Sequence, residues 1–255
     1  MKEEECQVSN QLLNVSDVTG GYSRTRPVLH DLDMTVNRGE IVGLIGLNGA
    51  GKSTTIKHIL GLLQPHKGAI TVGGSTLAND PDAYRSRIAY IPETPILYEE
   101  LTLWEHLEVT AMAYGIEEAV FQERAEKLLK QFRMKKMRNW FPDHFSKGMR
   151  QKVMIMSAFL LRPDLYIADE PFVGLDPVGI KSFLETMEQM KSDGCGILMS
   201  THILATAERY CDRFVFLDEG RVIMKGTLDE LREQAGMPEA ALDDIYAAEA
   251  GTNDA

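Results

Sequence analysis

Cysteine is scarce in this chain of 255 residues, which contains only Cys6, Cys195 and Cys211. Three scattered cysteines are too few for a disulfide framework or a zinc site, and they are typical of a reducing compartment. Long hydrophobic runs are also missing. The most apolar stretch, 153–161, is interrupted by a serine and is far shorter than the ~20 residues that cross a bilayer. Residues 1–5 include no apolar stretch, which excludes a signal peptide, so we expect a chain that is soluble by itself.

Positive charge is in deficit, because 27 Lys and Arg face 38 Asp and Glu, for a formal net charge of −11. Nucleic-acid binding requires cations against phosphates, so we expect no nucleic-acid partner. Much of the acidity belongs to the ends, since residues 1–10 carry −2 and residues 236–255 carry −5. We therefore expect an acidic N-terminal tail, 1–10, and an acidic C-terminal tail, 236–255. The sequence leaves open whether residues 242–246 dock as a short helix or the last residues are free.

The chain's hydrophobic patterning predicts an α/β core. Strands are predicted at 32–37, 41–45, 67–74, 88–91, 165–168 and 197–200, with a hairpin of 214–217 and 221–225. A helix is predicted over 53–63, and the pair Asp176-Pro177 is a helix start. The capping-box pattern 102–105 opens a region of helical spacing. We expect these helices to form an insertion in the core at about 94–163.

A glycine-rich segment, 46–53, follows one buried strand and precedes the helix that starts at residue 53. It fits the pattern G-x4-G-K-[ST], in which backbone N–H groups wrap a phosphate at a helix N-terminus. Lys52 reaches the β- and γ-phosphates and Ser53 ligates Mg²⁺ in such a loop. The predicted nucleotide-binding residues here are Gly46, Asn48, Gly49, Ala50, Gly51, Lys52, Ser53 and Thr54. The loop alone does not distinguish kinases, GTPases, helicases and transport ATPases.

Two acids, Asp169 and Glu170, directly follow the predicted strand 165–168. Asp169 is well placed to hold Mg²⁺ through water, opposite Ser53. Glu170 is placed to polarise an attacking water, a step that a general base assists by roughly 10²–10⁴. An acidic turn after a strand is also common on surfaces. With a phosphate loop upstream, we expect catalysis, because hydrolysis needs a carboxylate for the metal and a group that positions water.

The segment 145–151, Phe-Ser-Lys-Gly-Met-Arg-Gln, resembles the signature motif of ATP-binding-cassette (ABC) ATPases and lies between the phosphate loop and the acidic strand, as in that family. The match runs from about residue 12 to 235. It implies a P-loop NTPase (RecA-like) core, an antiparallel β subdomain and an inserted α-helical subdomain, all within an ATPase domain at 11–235. In this family the signature of one subunit completes the nucleotide site of the other. The resemblance therefore implies that Ser146, Gly148 and Met149 contact the opposite nucleotide.

Four further positions match motifs of the ABC family. Tyr22 matches the aromatic residue that stacks on adenine, and Asp176 matches the loop that crosses the dimer interface. His202 matches the switch histidine, and Glu93 lies where the family usually has glutamine. The implied catalytic residues are Glu170, His202 and Glu93, and the implied Mg²⁺ ligands are Ser53, Asp169 and Glu93. Glu93 can still ligate Mg²⁺. Lys147, in place of a signature glycine, either adds a cation near the opposite nucleotide or points to solvent.

The segment 91–102, together with the signature variant, is similar to the Ecs-type ATPases of Gram-positive bacteria. That resemblance implies a subunit that binds ATP and Mg²⁺, dimerises with a second copy or a related subunit, and drives a separate multi-pass permease, grouped with exporters. It also implies a peripheral location on the cytoplasmic face of the membrane. A soluble regulatory ATPase acting on a protein partner is the alternative. A small-molecule kinase is a further alternative, but kinase activity would not account for the motif that contains Ser146. The basic cluster 130–138 is either a solvated helix face or a contact for anionic lipid heads.

Overall fold

The computed structural model describes residues 10–250, which form two β-sheets and a set of surrounding helices. The strands are β1 Gln11–Gly20, β2 Leu29–Asn37, β3 Ile41–Ile45, β4 Lys67–Val72, β5 Ile88–Ile91, β6 Leu165–Asp169, β7 Gly196–Thr201, β8 Arg213–Asp218 and β9 Arg221–Gly226. The α-helices are α1 Lys52–Ile59, α2 Pro81–Ser86, α3 Leu103–Ala113, α4 Glu118–Gln131, α5 Lys147–Leu161, α6 Pro177–Ser192, α7 Leu204–Tyr210, α8 Leu228–Ala235 and α9 Leu242–Ala250. The predicted α/β class is confirmed.

The large sheet has the strand order β5-β6-β7-β3-β8-β9, in which only β9 runs antiparallel to its neighbour. Strands β3, β6 and β7 are buried along their whole length, as their near-continuous apolar sequences require. Their register pairs Ile45 with Thr201 and Asp169 with Ser200. The carboxyl ends of these parallel strands therefore meet at one edge, where ligands bind in open α/β sheets.

The small sheet has the order β2-β1-β4 and is antiparallel. It contributes to an apolar cluster that includes Leu13 and Val36 together with Leu44 and Leu198 of the large sheet. Strand β1 is absent from the sequence expectations. Its pairing register shifts between Val15 and Val18, where Asp17 has φ 52°. This irregularity breaks the alternation by which a half-buried strand is recognised.

Helices α3, α4 and α5 lie between β5 and β6 in the chain. Two short 3-10 turns, Lys135–Met137 and Pro142–His144, connect α4 to α5. Helix α3 begins at Thr102 with the capping box that the sequence predicts. Leu107 and Leu129 from these helices share one core with Met199 and Phe216 of the large sheet. Packing against the sheet thus fixes the helices that carry residues 145–151.

The segment after α8 folds back onto the core. Of the two alternatives for residues 242–246, the structure has the docked helix, since α9 buries Leu242, Ile245 and Tyr246 in the same core as Met199. The outermost residues of both predicted tails, 1–9 and 251–255, lie outside the described part of the chain. Within residues 10–250, no helix combines the length and apolarity that a membrane span requires.

Candidate nucleotide site

The phosphate loop connects β3 to α1 and leaves the start of that helix uncapped. Gly51 is the N-cap residue with φ 110°, a left-handed conformation that favours glycine. It provides no side-chain cap, and the first turn of α1 contains no acid. The free N–H groups and the helix dipole therefore offer an anion site that no acid of the first turn neutralises. Of the predicted residues, Gly46, Ala50, Gly51, Lys52 and Thr54 are buried, whereas Asn48, Gly49 and Ser53 are exposed.

Lys52 lies beneath this loop and is only 6% exposed. Its Nζ donates to the carbonyl of Gly46 at 2.7 Å and to that of Leu47 at 3.3 Å. It also lies 3.8 Å from Oε1 of Glu170. A buried ammonium needs such partners to offset its desolvation. The contacts hold one positive charge between the phosphate loop and the end of β6, which suits a ligand with several phosphate oxygens.

Asp169 and Glu170 are held at the end of β6 by a serine of the neighbouring strand. Ser200 Oγ donates to Asp169 Oδ1 at 2.6 Å and accepts from the Glu170 N–H at 3.0 Å. Both acids are buried, and Glu170 has φ 45°. A non-glycine residue in the left-handed region is uncommon and needs surrounding contacts to hold it. The bonds to Ser200 provide them, so one side chain positions two acids.

His202 faces the carboxylate of Glu170 from the loop after β7. Its Nδ1 lies 2.9 Å from Oε2 of Glu170, so this nitrogen donates the hydrogen bond. The other carboxylate oxygen, Oε1, faces Lys52. Glu170 is therefore oriented from both sides. The arrangement fits a carboxylate that polarises water beside a phosphate, with a histidine at its edge.

Asp169 and Glu93 both lie close enough to Tyr90 of β5 for their charges to act on its hydroxyl. Burial raises the pKa of Tyr90 to about 12, and the charges of Asp169 and Glu93 add to the effect. The exposed Glu93 follows Pro92, whose carbonyl accepts a hydrogen bond from the buried Gln151 at 3.0 Å. The oxygen atoms of Ser53, Asp169 and Glu93 are of the chemical type that suits Mg²⁺. That ion binds through one or two carboxylates together with water and phosphate oxygens.

Tyr22 is 64% exposed beside α1, which follows the phosphate loop. The Lys57 ammonium donates to its hydroxyl at 2.9 Å, and this bond lowers the pKa of Tyr22. The ammonium is 5.2 Å from the ring centre, so it lies beyond the hydroxyl and not over the ring. A face of the aromatic ring thus remains available for stacking on a base.

The signature segment lies at the start of α5. Ser146 caps this helix by accepting from the Met149 N–H at 3.3 Å. A Cβ on Gly148 would lie 2.2 Å from the carbonyl oxygen of Gly174, so only glycine allows this approach. The side chain of Lys147 is exposed and runs along Gly174. These contacts set the exposed Ser146 beside the loop that leads to α6.

Asp176 ends that loop and caps α6. It accepts from the Gly179 N–H at 2.6 Å and from Lys152 at 3.0 Å. These two bonds hold the pKa of Asp176 below its usual range. The structure therefore fixes Asp176 to α5 and α6 of its own chain and leaves part of its carboxylate exposed.

Three residues at the site were missed by sequence reasoning. Ser200 and Gln151 act through partners 31 and 59 residues away. Tyr246 accepts a hydrogen bond from the Leu47 N–H of the phosphate loop at 3.0 Å, across 199 residues. Gln151 ends the signature segment and Ser200 lies two residues before His202, but neither motif indicates these contacts, and no local motif marks Tyr246. A correct alignment of β6 with β7 is the one signal that would have placed Ser200 opposite Asp169.

Comparison with known proteins identifies the family of this chain. The family model for the ABC transporter matches residues 29–173. The ABC-type transporter ATP-binding protein EcsA of Bacillus subtilis (strain 168) is 63% identical over 235 residues, which cover 92% of this chain and 95% of EcsA. The SkfA peptide export ATP-binding protein SkfE of the same organism is 35% identical over 226 residues, covering 88% and 93%.

A solved structure of the ATP-binding subunit of an ABC transporter is 59% identical to this chain. It matches with a TM-score of 0.90 and covers 93% of this chain and 98% of that one. The predicted P-loop NTPase fold and the resemblance to Ecs-type ATPases are confirmed. The chain therefore belongs to the ABC transporter family, as an ATP-binding subunit with ATPase activity.

Proposed function

We propose that this ATPase works as a dimer that drives a separate multi-pass membrane permease, and that the transporter is an exporter. The observation that carries the catalytic part is the buried Glu170 carboxylate, oriented between Lys52 and His202 at the end of β6. A general base needs this fixed geometry next to the phosphate that reacts.

The residues of one chain divide the work of binding and hydrolysis. The loop 46–51, Ser53, Thr54 and Lys52 bind the phosphates of ATP, while Tyr22 stacks on its base. Ser53, Asp169 and Glu93 hold Mg²⁺, which neutralises phosphate charge when bound. Glu170 accepts a proton from the attacking water. His202 orients that carboxylate and contacts the γ-phosphate.

A second copy, or a related subunit, completes the site. Ser146, Gly148 and Met149 start a helix whose N-terminal N–H groups suit an anion, and Ser146 is exposed. Asp176 lies on the neighbouring loop with 58% of its side chain exposed. We propose that both segments meet the nucleotide held by the partner copy, and that residues 11–235, with 94–163 as their helical insertion, make up this ATPase domain.

The permease would bind at an exposed apolar surface near Glu93. We call this the apolar surface; its members are Ile96, Tyr98, Val109, Met112 and Tyr114. Contiguous exposed apolar side chains mark interaction sites. The Tyr98 N–H donates to Nε2 of His106, which fixes residues 96–98 to α3. Arg150 of α5 binds both carboxylate oxygens of Glu99 at 2.7 and 3.2 Å, which links the surface to the signature helix.

Docking there would place this subunit peripherally on the cytoplasmic face of the membrane. SkfE is named for peptide export, which supports an exporter. Purification of the tagged chain should recover a multi-pass membrane protein. Recovery from the soluble fraction alone would favour the regulatory alternative instead. ATP turnover without an added acceptor would separate a hydrolase from a small-molecule kinase.

Glu170→Gln tests the catalytic assignment. The amide keeps the shape of the side chain but cannot accept the proton, so turnover should fall at least ~10²-fold while ATP binding persists. Size-exclusion chromatography with ATP should then show a stable dimer. Glu188→Gln, an exposed acid of α6, is the matched control and should behave as the unaltered chain. Lys52→Ala should instead lose ATP affinity. Normal turnover by Glu170→Gln would refute the base assignment.

A further inference from the structure

Helix α9 reaches the nucleotide site through one tyrosine. The Tyr246 hydroxyl oxygen accepts a hydrogen bond from the Leu47 N–H at 3.0 Å. Leu47 is the second residue of the phosphate loop and belongs to its exposed part, 47–49. Tyr246 itself is only 7% exposed. A buried side chain from the C-terminal segment thus holds the backbone of the most open part of the loop.

A ring contact with Phe216 and the burial of its helix fix the position of this hydroxyl. The ring of Tyr246 meets that of Phe216 edge-on, at 5.2 Å between centres and 84° between planes. Phe216 pairs in register with Ile45, the residue that leads into the phosphate loop. Leu242, one turn before Tyr246, and Ile245, the residue before it, are fully buried. The hydroxyl therefore stands at a defined place against the loop.

Helix α9 is also tied to the segment behind His202. The Leu242 N–H at its start donates to Oε2 of Glu208 at 2.6 Å. Glu208 lies on α7, which begins two residues after His202. Helix α9 is thus bonded to the phosphate loop through Tyr246 and to the helix that follows His202 through Leu242.

We propose that Tyr246 is a positioning residue of the nucleotide site, which holds the phosphate loop in the conformation that binds ATP. The Leu47 N–H is the group held. Without its partner, residues 47–49 gain conformers in which their N–H groups do not converge on phosphate, and ATP binding must then select the competent fraction. The acidic C-terminal segment accordingly serves the ATPase. This inference rests on ATP binding by the chain and not on transport.

Tyr246→Phe removes one oxygen and keeps the ring on Phe216. Its matched control is Tyr84→Phe, because Tyr84 is also buried and donates to the Ile59 carbonyl at 2.6 Å, at the far end of α1. For both full-length variants, a fluorescent ATP analogue gives Kd, steady-state hydrolysis gives KM and kcat, and thermal unfolding gives Tm. Tyr246→Phe should raise Kd and KM about three- to tenfold, the effect of one hydrogen bond, with kcat within about twofold.

Tyr84→Phe should lower Tm about as much as Tyr246→Phe does, because each variant loses one buried hydrogen bond, but it should leave Kd unchanged. Lys52→Ala in the same titration shows whether the probe reports the phosphate loop, so failure of the nucleotide site is distinguishable from failure of this inference. A Kd for Tyr246→Phe equal to that of the unaltered chain would overturn the proposal. So would an equal rise in Kd for Tyr84→Phe, since the effect would then be general destabilisation.

Discussion

Ser200 shows how much of the site depends on a single hydroxyl. It donates to Asp169, a proposed Mg²⁺ ligand, and accepts from the backbone of Glu170, the proposed base. A hydroxyl has one donor and two acceptor positions, and here it uses one of each. Because Glu170 has a left-handed backbone, the bond to its N–H also helps to keep its carboxylate aimed at Lys52.

Ser200→Ala should therefore impair metal use more than nucleotide binding. The variant leaves one oxygen of the buried Asp169 without its 2.6 Å donor, and loss of such an outer partner typically costs about 10–100-fold in metal affinity or activity. We expect the Mg²⁺ concentration for half-maximal ATPase activity to rise, while Kd for Mg²⁺-free ATP stays within about twofold. A Mg²⁺ titration of steady-state hydrolysis measures this change.

Ser182→Ala is the control for that experiment. Ser182 is a buried serine of α6 whose hydroxyl donates to the Gln131 carbonyl at 2.9 Å. Its loss should lower stability without moving the Mg²⁺ dependence. An unchanged Mg²⁺ requirement in Ser200→Ala would mean that Asp169 supports metal binding without the hydrogen bond from Ser200.

At the scale of elements, the sequence predicts those whose signals are local and misses those whose signals are not. The capping box at Thr102 and the proline after Asp176 identify helix starts directly, and both helices begin there. Strand β1 is bulged at Asp17, so its alternation is interrupted. The role of Tyr246 could not be predicted from local sequence either, because its hydrogen-bond partner lies 199 residues away. Motifs that are contiguous, such as 46–53, need only local order to be recognised.

The capping box of α3 supports the helix that carries part of the apolar surface. Thr102 Oγ1 accepts from the Glu105 N–H at 3.3 Å, and the Glu105 carboxylate accepts from the Thr102 N–H at 2.7 Å. Thr102→Ala should cost about 1 kcal/mol of unfolding free energy, the usual value of an N-cap side chain. Urea unfolding measures it. Thr102→Ser keeps the hydroxyl and should recover most of the loss.

The same capping box makes the free energy of unfolding depend on pH. Its bonds from Thr102 lower the pKa of Glu105, so they stabilise the fold above the unfolded-state pKa of about 4.3. That contribution is lost as the pH falls through the lower folded-state value. The difference in unfolding free energy between the unaltered chain and Glu105→Ala should therefore be full at pH 7 and narrow below about pH 4. A difference that is constant with pH would show that the carboxylate takes no part in the cap.

At the scale of the whole molecule, one apolar core joins the helices α3–α5, one face of the large sheet and α9. Five acids dominate residues 236–255, and the sequence leaves open whether residues 242–246 dock as a short helix or the last residues are free. The structure shows what composition conceals, since three apolar side chains at helical spacing, Leu242, Ile245 and Tyr246, are buried between the acids. A charge count averages over faces, whereas folding depends on which face is covered.

Ile245→Ala tests whether α9 belongs to the cooperative unit. Ile245 is fully buried, and its truncation should cost about 2–4 kcal/mol, which lowers Tm by roughly 5–10 °C in a chain of this size. Because α9 shares its core with the large sheet, unfolding should remain a single transition at the lower temperature. Val109→Ala, at a site that is 44% exposed on α3, is the control and should shift Tm by no more than about 2 °C. A second transition at lower temperature in Ile245→Ala, or an unchanged Tm, would mean that α9 folds separately from the ATPase core. The core would then not hold Tyr246 in place against the phosphate loop.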